Sequence, residues 1–505
     1  MSTSHTSPLQ EKPPVDPGCL PAWEMSEFPA PVAFVRKNLL AIIGPGLVLI
    51  GSTIGTGEWV VGAGVAALYK GAFLWVAVLA ILAQVVLNTE VMRYTLVTGE
   101  PMFTGFMRSK PGPRFWLIYY MALDLLGWWP ALAGLAAQIL IFTVTRDTPG
   151  VEAVRWTSCA ILLTCGILLC FGRKIYNTLE VVLSGKVIFV LGYLAFCCLW
   201  FVPWNIWSEV LTGMVAPFRM PQLPEGETIQ WALVGSVAGF AGIGGLGNIL
   251  ASNYVREKGW GMGAKVGAIP AAFGDQHITL SHIGSMARPD AEGVKRFKAW
   301  WGFVAKDQFG VWMIGSLIGM LLPCALGATY LERNYFNNRG AEWEAASRLA
   351  LDFGGKEGEI FTLLTLLCGF IIMFPGQFSS LDGIARRWSD ALWSGSRRVR
   401  AMDPGKIRYI YYTFVVSYVA AGFVLNGFGI SAPKMMVINA NLANLAITCT
   451  ILHTLYVNCR FLPVEFRPSM AKRVALVLAA LFYSTIFAIV TNQTIEKAMA
   501  GTLFK

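Results

Sequence analysis

Ile43-Gly-Pro-Gly-Leu-Val-Leu-Ile-Gly-Ser-Thr-Ile-Gly-Thr-Gly-Glu58-Trp59 opens the first long apolar stretch of the chain, and Gly235-Ser-Val-Ala-Gly-Phe-Ala-Gly-Ile-Gly-Gly-Leu-Gly-Asn248 lies near its middle. Seven glycines fall between Gly44 and Gly64, and six between Gly235 and Gly247. A glycine weakens a helix by roughly 1 kcal/mol against alanine and tolerates positive φ. Backbone at membrane depth unwinds only where it is buried in protein or lines a wet cavity. Two such breaks, one in each half of a repeated fold, mark the binding site of a membrane transporter. The pair Ile54-Gly-Thr-Gly-Glu58 and Ile243-Gly-Gly-Leu-Gly-Asn248 predicts that site here.

The surrounding composition fits a bilayer. Hydrophobic residues make up 55% of the 505, charged residues 14%, and mean hydropathy is +0.55. A soluble protein carries about 25% charged residues, so an all-α polytopic membrane protein is expected. With about 20 apolar residues needed per span, eleven spans are read: 39–68, 71–96, 115–142, 153–172, 175–203, 229–253, 300–330, 359–383, 408–430, 433–459 and 473–493. Loops 254–299 and 384–408 carry seven Lys or Arg each, whereas 331–358 is mixed and acidic. Basic loops face the cytoplasm. The expected topology is therefore a cytoplasmic N-terminus and an external C-terminus in a plasma (inner) membrane. The net charge of +10 is read as this loop bias and not as a nucleic-acid footprint. Residues 1–30 are polar and proline-rich and are expected to be disordered, with 31–505 forming a single transmembrane domain. The ten cysteines show no C-x-x-C pair and read as small buried hydrophobes.

Several motifs resemble the Nramp family of divalent-metal transporters. Gly44-Pro45-Gly46 opens the first span, Val97-Thr98-Gly99-Glu100 closes the second, and Gly376-Gln377-Phe-Ser379-Ser380-Leu-Asp382-Gly383 sits in the eighth, where that family has a Gly-Gln-Ser-Ser-Thr run. The resemblance covers about 40–490. It implies a leucine-transporter-like fold of two inverted five-helix repeats, about 39–203 and 229–459, plus an eleventh helix at about 473–493. The departures bear on the substrate. The family holds metal with Asp-Pro-Gly-Asn in the first break and Met-Pro-His in the sixth span. Gly55-Thr56-Gly57-Glu58 and Gly245-Leu246-Gly247 stand there instead. The family's acidic proton-pathway positions in the third span fall on Gly127-Trp128-Trp129-Pro130-Ala131, and its second sixth-span histidine falls on Ser252.

The candidate substrate- or ion-binding residues are Gly55, Thr56, Glu58, Gly244, Gly245, Asn248, Gln377 and Ser380. Glu58 and Asn248 are the candidate metal ligands. The alternatives are that Glu58 meets water or a helix N-terminus near the outer end of its break, and that Asn248 caps the second half-helix. Carbonyls of Gly55, Thr56, Gly244 and Gly245 with one carboxylate suit Mg²⁺, Na⁺ or Ca²⁺ better than Mn²⁺ or Fe²⁺. Ser379 and Ser380 either complete a sodium site with the first break or pack helices. Asp124 has no local partner and is a candidate proton or cation relay. Lys306-Asp307 and Glu90-Arg93 read as local pairs, the latter at the membrane rim, and Asp382 with Arg386 and Arg387 as a rim ion pair. Asn439, Asn441 and Asn444 either line the path or pack, and His277, His282 and His453 have no ligand spacing.

No Walker loop, H-E-x-x-H or other enzyme constellation is present, so no enzyme activity, ATP use or permanently bound cofactor is expected. The expected partners are the lipid bilayer and a small inorganic cation such as Mg²⁺ or Na⁺. Two functions stay open on this fold: a secondary transporter of Mg²⁺-like or hydrated cations, and a sodium- or proton-coupled carrier of a small organic solute.

Overall fold

The computed structural model describes residues 16–31, 44–55, 57–171, 175–217, 219–225, 227–272, 279–333, 347–428 and 432–500. Thr56 and His277 lie outside the described residues. Among the described residues, nine helices are long and apolar enough to cross a membrane. A tenth crossing is the bent pair Pro45–Thr53 and Gly57–Tyr69, whose halves meet at 48°. The third apolar stretch is also broken, into Pro113–Asp124, a 3-10 turn Leu125–Trp128 and Ala131–Thr145. Pro130 accounts for that interruption, since its ring removes a backbone donor and clashes with a preceding turn. All eleven stretches read from hydropathy are therefore helical, and they are numbered span one to span eleven below.

The second predicted break is clear in the backbone. The helix Trp231–Phe240 stops, and a 3-10 turn Gly245–Ile249 leads into Leu250–Glu257. Gly242 has φ +108° and Gly244 φ +73°, a region that residues with a Cβ avoid.

Small residues let the broken spans approach closely, as membrane helix packing requires. A Cβ at Gly57 would stand 2.6 Å from the carbonyl oxygen of Phe240, so spans one and six cross at their breaks. Gly239 lies against the backbone of Ala440 in span ten, and Gly51 against Leu183 in span five.

Residues 16–31, 97–114, 254–272, 279–299, 384–408 and 460–472, from segments that the topology puts on one side, meet at one end of the bundle. Strand β1, Glu24–Ser26, pairs in parallel with β2, Ser285–Ala287. Arg108 donates to the carbonyls of Pro17 and Pro21, His282 lies 2.9 Å from the carbonyl of Met402, and Phe28 packs on Phe466. The expected disorder of 1–30 therefore fails for its second half. Leu20, Trp23 and Phe28 are buried, and Trp23 stacks on the Arg108 guanidinium. These three apolar anchors offset the ordering entropy that the polar composition suggested could not be met. Residues 1–15 lie outside the described residues.

Candidate binding site

A cavity of about 180 Å³ lies where the two breaks cross, walled also by spans three, eight and ten. Gly55, Gly57, Gly242, Gly244, Gly245 and Gly247 form its break-side walls. Gln377, Ser379 and Ser380 contribute from span eight, Asp124 from span three, and Met436 and Asn439 from span ten. Of the residues expected at the site, Gly55, Gly244, Gly245, Gln377, Ser380 and Asp124 thus share one chamber.

Glu58 and Asn248 stand behind its wall. Glu58 is 1% exposed, and its Oε2 accepts from the Gly55 N–H at 2.8 Å. A carboxylate here binds a donor that the break has freed from helical pairing. The reading of Glu58 as a rim residue in water fails, because span seven and the break close over it. Its Oε1 is buried without a hydrogen-bond partner. Asn248 does not cap the second half-helix. Its amide donates to Gln84 Oε1 at 3.0 Å and Asn88 Oδ1 at 2.9 Å, leaving Asn248 Oδ1 without a partner.

Gln84 of span two is the residue that sequence reasoning missed. Its Oε1 accepts from the N–H of Ile243 at 3.0 Å and its Nε2 donates to the Ala241 carbonyl at 2.8 Å. One side chain thus replaces helical hydrogen bonds lost on both sides of Gly242. The available signal was the polar pair Gln84 and Asn88, four residues apart in an otherwise apolar run. Gln377 does similar work on the third break. Its Oε1 accepts from the Ala133 N–H at 3.1 Å, in the first turn of Ala131–Thr145, and its Nε2 donates to Tyr418 at 3.0 Å.

The charges within the spans also find partners on other helices. Asp124 binds Arg387 of span eight through both oxygens, at 2.8 and 3.0 Å, where no local partner was expected. Asp382 keeps Arg386, at 2.9 Å, and also accepts from Tyr411 at 2.7 Å. Asp307 does not pair with Lys306. It accepts from the Gly46 N–H at 2.9 Å and from Gln308 at 2.8 Å, placing a carboxylate at the N-terminus of the first half-helix. Glu90 and Arg93 pair at 2.7 Å as read, buried beneath the loop at Phe466, whose carbonyl also accepts from Arg93, and Lys472 joins them at 3.2 Å. Arg387 for Asp124, Tyr411 for Asp382, Gly46 for Asp307 and Lys472 for Glu90 lie on other helices, so spacing could not reveal them, whereas Asp382–Arg386 and Glu90–Arg93 keep helical spacing and were legible.

Of the serines, Ser379 Oγ lies 2.6 Å from Ser52 Oγ in span one. Asn441 and Asn444 donate to span-six carbonyls at Ala232 and Gly235, at 2.9 and 3.0 Å, so they pack helices while Asn439 lines the cavity. His453 lies 2.8 Å from both Tyr120 Oη and Ser109 Oγ, and His282 stacks on Trp393. Among the described residues no cluster of three or more His, Cys, Asp or Glu could hold a metal ion.

No protein-family model and no curated protein matches the sequence. Solved structures do match in fold. The manganese transporter of Eremococcus coleocola aligns with a TM-score of 0.63 at 13% identity, over 94% of this chain and 91% of that one, in an alanine variant. The same transporter in complex with an aromatic bis-isothiourea substituted compound gives the same TM-score and identity over 95% and 91%. Mhp1, a nucleobase-cation-symport-1 family transporter in a closed conformation with bromovinylhydantoin bound, aligns with a TM-score of 0.52 at 14% identity over 97% of both chains. The chain has an all-α polytopic fold of the leucine-transporter type, similar to those of the Eremococcus coleocola manganese transporter and of Mhp1.

Proposed function

We propose that this protein is a secondary transporter that carries a small polar organic solute through the cavity at the crossing of spans one and six. The observation behind the substrate class is charge balance. Asp124, the one carboxylate among the described cavity-lining residues, is neutralised by Arg387. Glu58 stands behind the wall, with its Oε2 engaged by the Gly55 N–H. A dehydrated divalent ion needs several anionic or well-oriented oxygen ligands, and this chamber offers no net negative charge. It offers instead backbone carbonyls freed at two breaks, the serines, and the amides of Gln377 and Asn439. About 180 Å³ corresponds to roughly six waters at about 30 Å³ each, which suits a solute of modest size.

A cation, hydrated and Mg²⁺-like, is the second reading. It is favoured by the partnerless oxygens Glu58 Oε1 and Asn248 Oδ1 on the two breaks. Both readings use alternating access, driven by an ion gradient or the membrane potential. A proteoliposome flux screen with Mg²⁺, Mn²⁺, Na⁺ and a panel of small amino acids, amides and nucleobases separates them. Saturable uptake of an organic solute supports the first reading. Saturable Mg²⁺ uptake with no organic uptake replaces it with the second.

A further inference from the structure

Residues 16–31 form a strap that is bonded to both repeats. In the first repeat, the Cys19 N–H donates to the Arg108 carbonyl at 2.9 Å, and Arg108 donates in turn to the carbonyls of Pro17 and Pro21 at 2.8 and 2.9 Å. The Arg108 Cζ lies 3.6 Å from the centre of the Trp23 ring. In the second repeat, β1 pairs with β2, the Trp300 indole N–H donates to the Pro29 carbonyl at 2.9 Å, and Arg296 donates to the Phe28 carbonyl at 2.6 Å. Phe28 also packs on Phe466, in the turn before span eleven.

The short helix Met102–Arg108 carries this hold to the chamber. Arg108 ends it, and Glu100, just ahead of it, accepts from Arg108 Nε at 2.9 Å and from the Gly284 N–H, beside β2, at 3.1 Å. At the other end of the helix the Met102 N–H donates to Ser252 Oγ at 3.0 Å, and Thr104 Oγ1 lies 3.0 Å from Ser394 Oγ of span eight. Ser252 belongs to the half-helix Leu250–Glu257, whose first residue lines the cavity. One end of Met102–Arg108 therefore meets the strap and the other meets the wall of the chamber. Transporters of this architecture open by rocking one repeat or bundle against the other, so an element bonded to both repeats must give way when they part at its end. The strap is built to give way. Its β pairing is three residues long, a two-stranded ribbon that is marginal in water by itself. Its buried apolar anchors are Leu20, Trp23 and Phe28. Moving elements are drawn from such weakly held parts of a structure.

We propose that the strap of residues 16–31 is a latch on the chamber. Docked, it holds the two repeats together at its end of the bundle through Met102–Arg108. Undocked, it frees the half-helix Leu250–Glu257, and the chamber opens toward that side. This deepens the transporter reading and rests on it only for what the opening serves. The test reads backbone exposure and not flux.

Full-length protein in lipid nanodiscs is followed by hydrogen exchange with mass spectrometry. Trp23→Ala removes the ring that lies on Arg108 and should speed exchange several-fold across 16–31. The latch adds a distant effect. Exchange should also rise across 242–250, in the chamber wall, while Arg348–Glu357, in a loop that the topology puts on the other side, keeps its rate. In a Cys19→Ser background, Glu24→Cys with Ser285→Cys places two thiols at positions paired in register. Oxidised, this protein should exchange more slowly across 242–250 than when reduced. A rise confined to the strap and the residues it touches overturns the proposal, as does equal wall exchange in the oxidised and reduced forms. Failure of the two thiols to join overturns the docked strap itself. If Trp23→Ala fails to fold, the oxidised and reduced forms of the one protein decide alone: slower wall exchange on oxidation supports the latch, and equal exchange overturns it. A flux screen that finds no substrate leaves these rates untouched and bears only on the transport reading.

Discussion

Asp124 of span three grips Arg387 of span eight through both carboxylate oxygens, at 2.8 and 3.0 Å, beside a cavity that both residues line. The pair joins two helices that wall the candidate site and engages the one carboxylate among the described residues that line it. It is buried on both sides. Removing one member of such a pair strands a charge and costs about 3–5 kcal/mol, whereas removing both costs much less. Asp124→Asn and Arg387→Gln should each lower the melting midpoint, and the double variant should recover part of the loss. The check is a double-mutant cycle on thermal unfolding, with a coupling of about 0.5–3 kcal/mol expected for residues in contact. Additive losses would show that the two side chains do not support each other.

The crossing of the breaks depends on absent side chains. Gly57→Ala would place a methyl 2.6 Å from the Phe240 carbonyl oxygen, closer than two such atoms can approach. At Gly185 and Gly192 of span five, an added methyl would meet nothing within 4 Å. Alanine there should be neutral or slightly stabilising, by up to about 1 kcal/mol from helix propensity. Thermal unfolding followed by size-exclusion recovery distinguishes the two classes. Equal effects at Gly57 and Gly185 would contradict close packing at the crossing.

Gln84→Leu keeps approximate bulk but removes the acceptor for Ile243 N–H and the donor to the Ala241 carbonyl. Each buried backbone group left unpaired costs about 1–3 kcal/mol. The expected result is lower stability with faster amide exchange at Ile243 and Gly244, and little change in span eleven beyond Tyr483, which shares the network at 2.9 Å. Hydrogen exchange by mass spectrometry reads this directly. Unaltered protection across 241–248 would mean that another group holds the break.

Manganese and iron should not be preferred over magnesium. The two breaks contain no methionine, histidine or aspartate, so the softer sulfur and nitrogen ligands that favour those ions are missing from them. Calorimetric titration with Mn²⁺ and Mg²⁺ tests this. Low-micromolar Mn²⁺ binding without a Mg²⁺ response would locate soft ligands elsewhere in the chain.

Hydropathy and glycine placement made the eleven helical stretches and both broken spans legible, because each is a local property of the chain. Length, apolar run and helix-breaking residues act within a few turns. The glycines of the site were legible for the same reason: Gly55, Gly244 and Gly245 are found at the cavity because unwound backbone is found only at a cavity. That Gln377, Ser380 and Asp124 share a chamber with those glycines is shown by the structure.

Only the tertiary structure decided what each charge meets. Asp124 with Arg387 and Asp307 with Gly46 are separated by 263 and 261 residues, and no periodicity encodes such a distance. Local rules proposed near neighbours in the chain, Asp307 for Lys306 and Arg93, three residues on, for Glu90. Inside a bilayer, burial without water forces each charge to find whatever partner the packed helices bring near. The same force explains Gln84. A broken helix leaves donors and acceptors that must be satisfied, and the sequence states that they exist, whereas the fold alone determines which side chain reaches them.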